Sequence, residues 1–246
     1  MFHRNPQLIG LVLAVIACVA FAMIASSDSR KEVATATPMP PTATSEPTRP
    51  QPTSFPTPTV TLPPPSFSDE FNKGLSNYWA YFLALGEKND VDISAQGEHV
   101  RFTITDYDTY AYLIYELRNY TDVRIDTEVT NQGSNNNNVG LVCRFSETGW
   151  YEFNISSSGV YSIYVFDNNE YRLIRNGGSP LIRMDKDTNQ YAVECIGEAL
   201  TLYINGEKVW SGDDPTFRTG MVGISASTKD YQPVKVDFEW ITITEK

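Results

Sequence analysis

The sequence predicts an all-β fold for residues 67–246, built as a two-sheet antiparallel sandwich. Three observations predict it. Apolar and polar residues alternate at a period of two, no helical stripe lasts three turns, and clusters of Gly, Asn, Asp and Ser separate the alternating segments. The segments are VRFTI, VRIDTEVT, VGLVCRF, WYEFNIS, VYSIYVF, YAVECI, LTLYI, MVGISAS and VKVDFEWITIT. Many short strands joined by turns favour two packed sheets, because a parallel sheet needs crossover helices.

One turn in this series is specified by its residues. In TLYINGEKVW, Asn205 and Gly206 stand between two alternating runs. Both residue types tolerate the positive φ angles of a type I′ turn, so Leu200 to Trp210 is predicted to form a β-hairpin. The run of asparagines from Asn135 to Asn138 is interpreted as a hairpin loop.

The N-terminal part carries a membrane signal. After a short flank, residues 1–7, residues 8–25 read LIGLVLAVIACVAFAMIA, an unbroken apolar run. Eighteen helical residues measure roughly 27 Å, about one hydrocarbon core, so this is a transmembrane or signal segment. A lipobox-like stretch ends at Cys18, a lipidation candidate, but apolar residues follow it. Three alternatives remain: a retained single-pass anchor, a lipid anchor at Cys18, and cleavage near Ala25.

Residues 26–66 form a linker dominated by Pro and Thr. Such a segment has little to bury and lacks many amide donors, so it is predicted to be a disordered stalk. The predicted localisation is therefore the cell membrane, single-pass or lipid-anchored, with the C-terminal domain extracytoplasmic.

Charge limits the partners of the domain. Of the 19 basic and 30 acidic residues, 15 and 27 lie within residues 67–246, a net charge of −12. Nucleic acid is excluded as a partner because its phosphates require a basic face. A neutral or cation-bridged ligand is compatible with this charge.

Two cysteines fall in the domain, and both are predicted to face the core. Cys143 alternates with Val142 and Arg144, and Cys195 with Glu194, so each occupies an inward position. In an exported domain a Cys143–Cys195 disulfide is favoured over two buried free thiols. Closing this loop stabilises the fold by about 4 kcal/mol in the chain-entropy model.

The chain resembles the concanavalin A-like lectin/glucanase superfamily, in the branch found on bacterial surface proteins behind Pro/Thr stalks. The resemblance rests on FSDEFNKGLSNYW, VGLVCRF, GWYEFNISSSGVYSIYVF, NQYAVECIGEALTLYINGEKVW, GMVGISAS and VKVDFEWITIT. It implies a jelly-roll sandwich with a concave sheet where relatives bind glycans. The fold is also related to that of 3-keto-disaccharide hydrolase-type domains, but their N-terminal pattern is matched only loosely by EFNKGLSNYW.

An enzymatic role can be tested against the same resemblance. Glucanases of this fold carry an E-x-D-x-E strand that supplies a nucleophile and an acid/base. The nearest match here runs from Arg124 to Glu128, with Arg124 in place of the first glutamate. Asp126 and Glu128 are therefore interpreted as outward strand residues, and catalysis is not expected from them.

The outward residues suggest a ligand class. Alternation directs one set of aromatic, amide and charged side chains away from the core: Arg124, Asp126, Glu128, Arg144, Trp150, Glu152, Asn154 and Tyr164. Aromatic planes stack on the C–H faces of sugars while amides and carboxylates bind their hydroxyls. The alternative is that these residues merely cover a solvated or partner-covered sheet.

The predicted function requires no cofactor, but the sequence offers one candidate calcium site. If the terminal strands pair, Asp69 and Glu70 meet Asp237, and their oxygen atoms suit calcium. The sequence thus predicts a membrane-anchored, non-catalytic module that binds a cell-surface or environmental glycan or acts in adhesion. The alternatives are a glycoside hydrolase of the same fold and a structural surface protein that binds another protein.

Overall fold

The computed structural model describes residues 62–134, 137–229 and 231–246. The predicted membrane segment, Cys18 and nearly all of the predicted stalk lie outside these residues. Within them the regular structure is strand, apart from one short 3-10 helix at Lys88–Asp90. None of the helices in this part of the chain has the length and apolarity needed to cross a membrane.

Fifteen strands, β1 to β15, follow one another in the described residues. They are Phe67–Asp69, Trp79–Leu85, Val91–Ala95, Val100–Ile104, Tyr110–Tyr120, Val123–Asn131, Asn138–Phe145, Gly149–Ser156, Val160–Asp167, Glu170–Gly178, Thr188–Ile196, Ala199–Ile204, Glu207–Asp213, Gly220–Ser227 and Val234–Glu245. The predicted hairpin is present, since β12 pairs with β13 and Asn205 and Gly206 have φ angles of 50° and 87°.

The strands form two antiparallel sheets. The eight-stranded sheet has the order β13-β12-β11-β6-β15-β4-β3, with β1 also paired to β15. The seven-stranded sheet has the order β10-β9-β8-β7-β14-β5-β2. The predicted all-β sandwich is confirmed, and each sheet combines consecutive strands with strands that are distant in the sequence, such as β7 beside β14 and β6 beside β15.

Side chains from both sheets meet in one apolar core. Alternate positions of β7 and β8, such as Leu141 and Phe153, are completely buried there, as are Ile125 and Val193 of the facing sheet. The Cys143–Cys195 disulfide is confirmed and connects β7 to β11, so it joins the two sheets through this core. Its Cα atoms are 6.7 Å apart.

Candidate functional site

The predicted outward residues lie on two opposite faces of the sandwich. Arg124, Asp126 and Glu128 belong to β6 and lie on the outer face of the eight-stranded sheet. There the Arg124 guanidinium pairs with the carboxylates of Asp126 at 2.7 Å and Glu194 at 3.2 Å, and stacks over the Tyr203 ring. This arginine therefore neutralises the carboxylate nearest to it, which agrees with an ordinary surface role for the R-x-D-x-E segment.

Trp150, Glu152, Asn154 and Tyr164 lie on the outer face of the seven-stranded sheet. The first three alternate along β8, and Tyr164 stands beside Glu152 on β9. The residues between them, such as Tyr151, point into the core. The structure thus brings these four predicted residues together and separates them from the three on β6.

Arg144 was predicted to point outward, and this was wrong. Its side chain is fully buried and donates hydrogen bonds to the backbone carbonyls of Thr121, Gly197 and Phe217. Arg144 has a φ of 56°, and the pairing between β7 and β14 shifts register here. An irregularity of this kind breaks the period of two, so the side chain turns to the end of the sandwich.

Trp150 faces outward but is covered by other aromatic rings. Its indole is stacked between Phe145 and Phe166, with centroids 5.0 and 4.2 Å away, and Phe82 meets it edge-on. Only 3% of the residue is exposed. Both of its faces are occupied, so Trp150 does not present the open platform that alternation predicted.

Glu152 is the charged group at the centre of this face. Its carboxylate accepts hydrogen bonds from the Tyr112 hydroxyl at 2.8 Å, the Ser225 hydroxyl at 3.0 Å and the Trp150 indole at 3.3 Å. It is 1% exposed, and burial raises its pKa although these hydrogen bonds oppose the shift. Gly140 leaves the necessary space, because a Cβ there would lie 2.1 Å from the Ser225 oxygen.

A hydrogen bond between two tyrosines shows that this face is concave. The hydroxyls of Tyr112 on β5 and Tyr171 on β10 are 3.0 Å apart, although four strands lie between β5 and β10. Five strand spacings span about 24 Å of flat sheet, which two facing tyrosines would not bridge. The sheet therefore curves, and we call its concave outer face the trough and the Tyr112–Tyr171 contact the tyrosine bridge.

An open cleft of about 500 Å³ occupies one end of the trough. Its lining consists of amide, hydroxyl and tyrosine side chains, with one lysine and one valine. The lining residues are Tyr110, Asn138, Asn154, Ser156, Val160, Tyr161, Ser162, Tyr164, Tyr171, Ser227 and Lys229. None of these described lining residues is acidic.

The sequence alone identified only Asn154 and Tyr164 in this cleft. Asn138, interpreted as part of a loop, begins β7 and lines the cleft, while Asn135 and Asn136 lie outside the described residues. The remaining lining residues come from strand ends that become neighbours only when the sheet forms. Three of them, Ser156, Ser162 and Ser227, are small polar residues within strands, which is the one signal that the sequence offered.

The structure does not assemble the predicted calcium site. Asp69 stands opposite Ile241, four positions along β15 from Asp237, which corresponds to about 13 Å. The Asp69 carboxylate accepts from the Trp79 indole at 3.0 Å, while Asp237 is held by Arg101 at 2.5 and 2.6 Å. Glu70 accepts from Asn72 instead. No group of three or more His, Cys, Asp or Glu suited to a metal occurs among the residues described.

The chain is similar in fold to several carbohydrate-related proteins. No known protein family matches its sequence, and neither does any curated protein. The carbohydrate-binding module CBM66 from Bacillus subtilis is 15% identical, with a TM-score of 0.50 over 67% of this chain and 94% of the module. The Bacillus licheniformis β-glucanase is 11% identical, with a TM-score of 0.55 over 75% of this chain and 100% of the glucanase.

A Lotus tetragonolobus seed lectin shows the same likeness, at 13% identity and a TM-score of 0.52 over 73% of this chain and 97% of the lectin. Identities this low establish the fold rather than the activity. Two antiparallel sheets, a concave outer face and these three neighbours all agree with the resemblance seen in the sequence. The protein has the concanavalin A-like jelly-roll fold.

Proposed function

We propose that this chain is a carbohydrate-binding module that is non-catalytic and extracytoplasmic, and that the cleft in the trough is its binding site. The observation that carries the proposal is the chemistry of the cleft lining. Amides, hydroxyls and tyrosine rings converge on one concave surface, and sugar recognition uses the same groups. The fold neighbours, which include a carbohydrate-binding module and a lectin, support this reading.

Tyr164 takes the stacking role in this proposal. Its ring is half-buried and lines the cleft, with Tyr171 edge-on at 6.0 Å. Asn154 stands one row away on β8, opposite Ser162 on β9, so an amide and a hydroxyl lie beside the ring. A sugar resting on Tyr164 would find donors and acceptors for its hydroxyls in the adjacent row.

Hydrolysis is the second candidate, and Glu152 is the residue that favours it. A buried carboxyl with a raised pKa suits a general acid. Glycoside hydrolysis, however, uses two carboxyls about 5 to 9.5 Å apart across the scissile bond. The described lining of the cleft supplies no acidic partner, and Glu152 is occupied by three donors.

Export and anchoring belong to the same proposal. A disulfide that joins both sheets suits an oxidising compartment, and this supports an extracytoplasmic domain. Residues 8–25 would then hold the protein in the cell membrane. If they act as a spanning anchor, Cys18→Ser stays in the membrane fraction, whereas release of this variant, or loss of lipid labelling with an unprocessed precursor, would point to a lipid anchor.

The proposal is tested by glycan-array binding of the full chain, followed by hydrolysis assays on every glycan bound. We expect binding without turnover. Tyr164→Ala should weaken binding by about 1 kcal/mol through loss of stacking, with little change in the free energy of unfolding. Tyr203→Ala, on the outer face of the opposite sheet, is the matched control and should bind normally. Release of reducing sugar from a bound glycan would establish the hydrolase instead.

A further inference from the structure

The trough is divided across its width. The tyrosine bridge connects β5 to β10 over the intervening strands, and Tyr112 also donates to Glu152 in the middle of the sheet. Tyr171 is anchored from below as well, with its ring 4.8 Å from Phe166 and 6.4 Å from Trp150. The bridge therefore rests on a packed base and forms a fixed wall.

The two sides of this wall differ in how they are filled. On one side the trough is packed with the rings of Phe82, Phe145, Trp150 and Phe166 and with Met221. On the other side lies the cleft, at the ends of the strands marked by Tyr110, Asn138 and Ser156. Tyr171 of the bridge lines the cleft and the aromatic cluster lies beyond it, so a sugar chain that follows the trough from the cleft meets both.

We propose that the cleft receives the end of a glycan chain rather than its interior, and that the tyrosine bridge is the feature that sets this preference. The inference rests on the proposed function and names the form of ligand that the same site takes. A cleft of about 500 Å³ accommodates a ligand of roughly drug size, about two sugar rings. Further sugars extend from the open end of the cleft into solvent and add little affinity.

Both tyrosines are suited to this role at physiological pH. Burial, reinforced by the nearby Glu152 carboxylate, raises the pKa of Tyr112 and of Tyr171 above the usual value of 10. Their hydroxyls therefore stay protonated, so the bridge persists. Tyr171 is nevertheless 45% exposed, so its ring can be removed without emptying the core.

The experiment measures how binding depends on the number of chain ends in a glycan sample. Amylose, mannan, galactan and inulin are each prepared as long chains and as fragments with about tenfold more ends per gram, and binding to the full chain in detergent is measured by titration calorimetry. For whichever polymer binds, we expect one protein per chain end and about a tenfold gain in binding capacity per gram on shortening. If an α-glucan binds, linear maltohexaose should bind while α-cyclodextrin, which has no ends, should not.

Variants of Tyr171 separate the wall from the hydrogen bond. Tyr171→Ala removes the ring and should allow several proteins to bind along one long chain, while Tyr171→Phe keeps the ring and should retain the end preference. Near-UV circular dichroism verifies that both variants are folded. Several wild-type proteins bound per long chain, or equal binding of cyclic and linear forms, would overturn the inference while leaving carbohydrate binding intact. If the protein binds none of the polymers and none of the arrayed glycans, both proposals are overturned.

Discussion

On the outer face of the eight-stranded sheet, Arg124 and Asp126 pair in partial contact with solvent, with side chains 26% and 27% exposed. On the outer face of the seven-stranded sheet, Glu152 is 1% exposed, accepts three hydrogen bonds and has no cationic partner among the contacts described. Both sets of residues occupy alternate positions of a strand. Curvature makes the difference, because the concave face encloses its side chains while the other face leaves them open.

An outward position on a strand is therefore not the same as an exposed one. Trp150 and Arg124 are both directed away from the inter-sheet core, yet one is packed in a second cluster and the other is hydrated. A side chain in the trough therefore contributes to stability as a core residue does. Substitutions of Trp150, Glu152 and Arg124, which we expect to destabilise the fold to decreasing extents, test this distinction.

Trp150→Ala should lower the stability of the fold the most, because it removes a ring held between Phe145 and Phe166 and leaves a cavity. We expect the free energy of unfolding to fall by about 3 to 5 kcal/mol, measured by urea denaturation. Tyr203→Ala provides the comparison on the other sheet. Losses of similar size for Trp150 and Tyr203 would show that the two outer faces are energetically alike.

Glu152→Ala should have an intermediate effect, because it leaves the Tyr112, Trp150 and Ser225 donors without their acceptor. We expect a loss of about 1 to 3 kcal/mol. Glu128→Ala, the matched carboxylate on the outer face of β6, should change the free energy of unfolding by less than about 0.5 kcal/mol.

The pH dependence of Glu152 sharpens this prediction. Its pKa in the folded protein is raised above 4.5 by burial, so its stabilising contribution is present below that pH and is lost as the pH rises through the folded value. Glu152→Gln does not titrate at this position. The free energy of unfolding of the wild type, relative to that of this variant, should therefore decrease as the pH rises from about 4.5 through the pKa of Glu152 in the folded protein. A relative stability that increases with pH would show that Glu152 is held as a stabilised carboxylate.

Arg124→Gln should have the smallest effect. It breaks partly exposed pairs with Asp126 and Glu194, which are worth about 0.5 to 1 kcal/mol. The loss should shrink as salt is raised to about 1 M, where the Debye length is about 3 Å. Urea denaturation at low and high salt measures it, and a loss independent of salt would assign the effect to stacking on Tyr203 instead.

Much of the fold could be predicted because its signals are local. The period of two, the Asn205-Gly206 turn and the inward direction of Cys143 and Cys195 each depend on a few adjacent residues. β5 and β10 were missed, since YLIYELRNY and EYRLIRNGG do not alternate cleanly. These two strands supply Tyr112 and Tyr171, and with them the tyrosine bridge.

The candidate site could be predicted only in part, because it depends on strand order and curvature. Alternation placed Asn154 and Tyr164 on the correct side of their strands. It did not show that β6 belongs to the other sheet, nor that Trp150 would be covered by Phe166 from a neighbouring strand. The outward prediction for Arg144 was wrong for a different reason. A single residue with positive φ reverses the phase of the inward and outward alternation along the strand.

The chain enters the domain far from the cleft. Arg118 and Tyr120, near the end of β5, donate hydrogen bonds to the carbonyls of Pro63 and Pro65, at 2.6 and 2.9 Å. Tyr110, at the start of the same strand, lines the cleft. Eight residues of strand separate Arg118 from Tyr110, a distance of about 27 Å. Residues 63–65 are therefore held at the end of β5 that lies away from the cleft, and they contribute nothing to its lining.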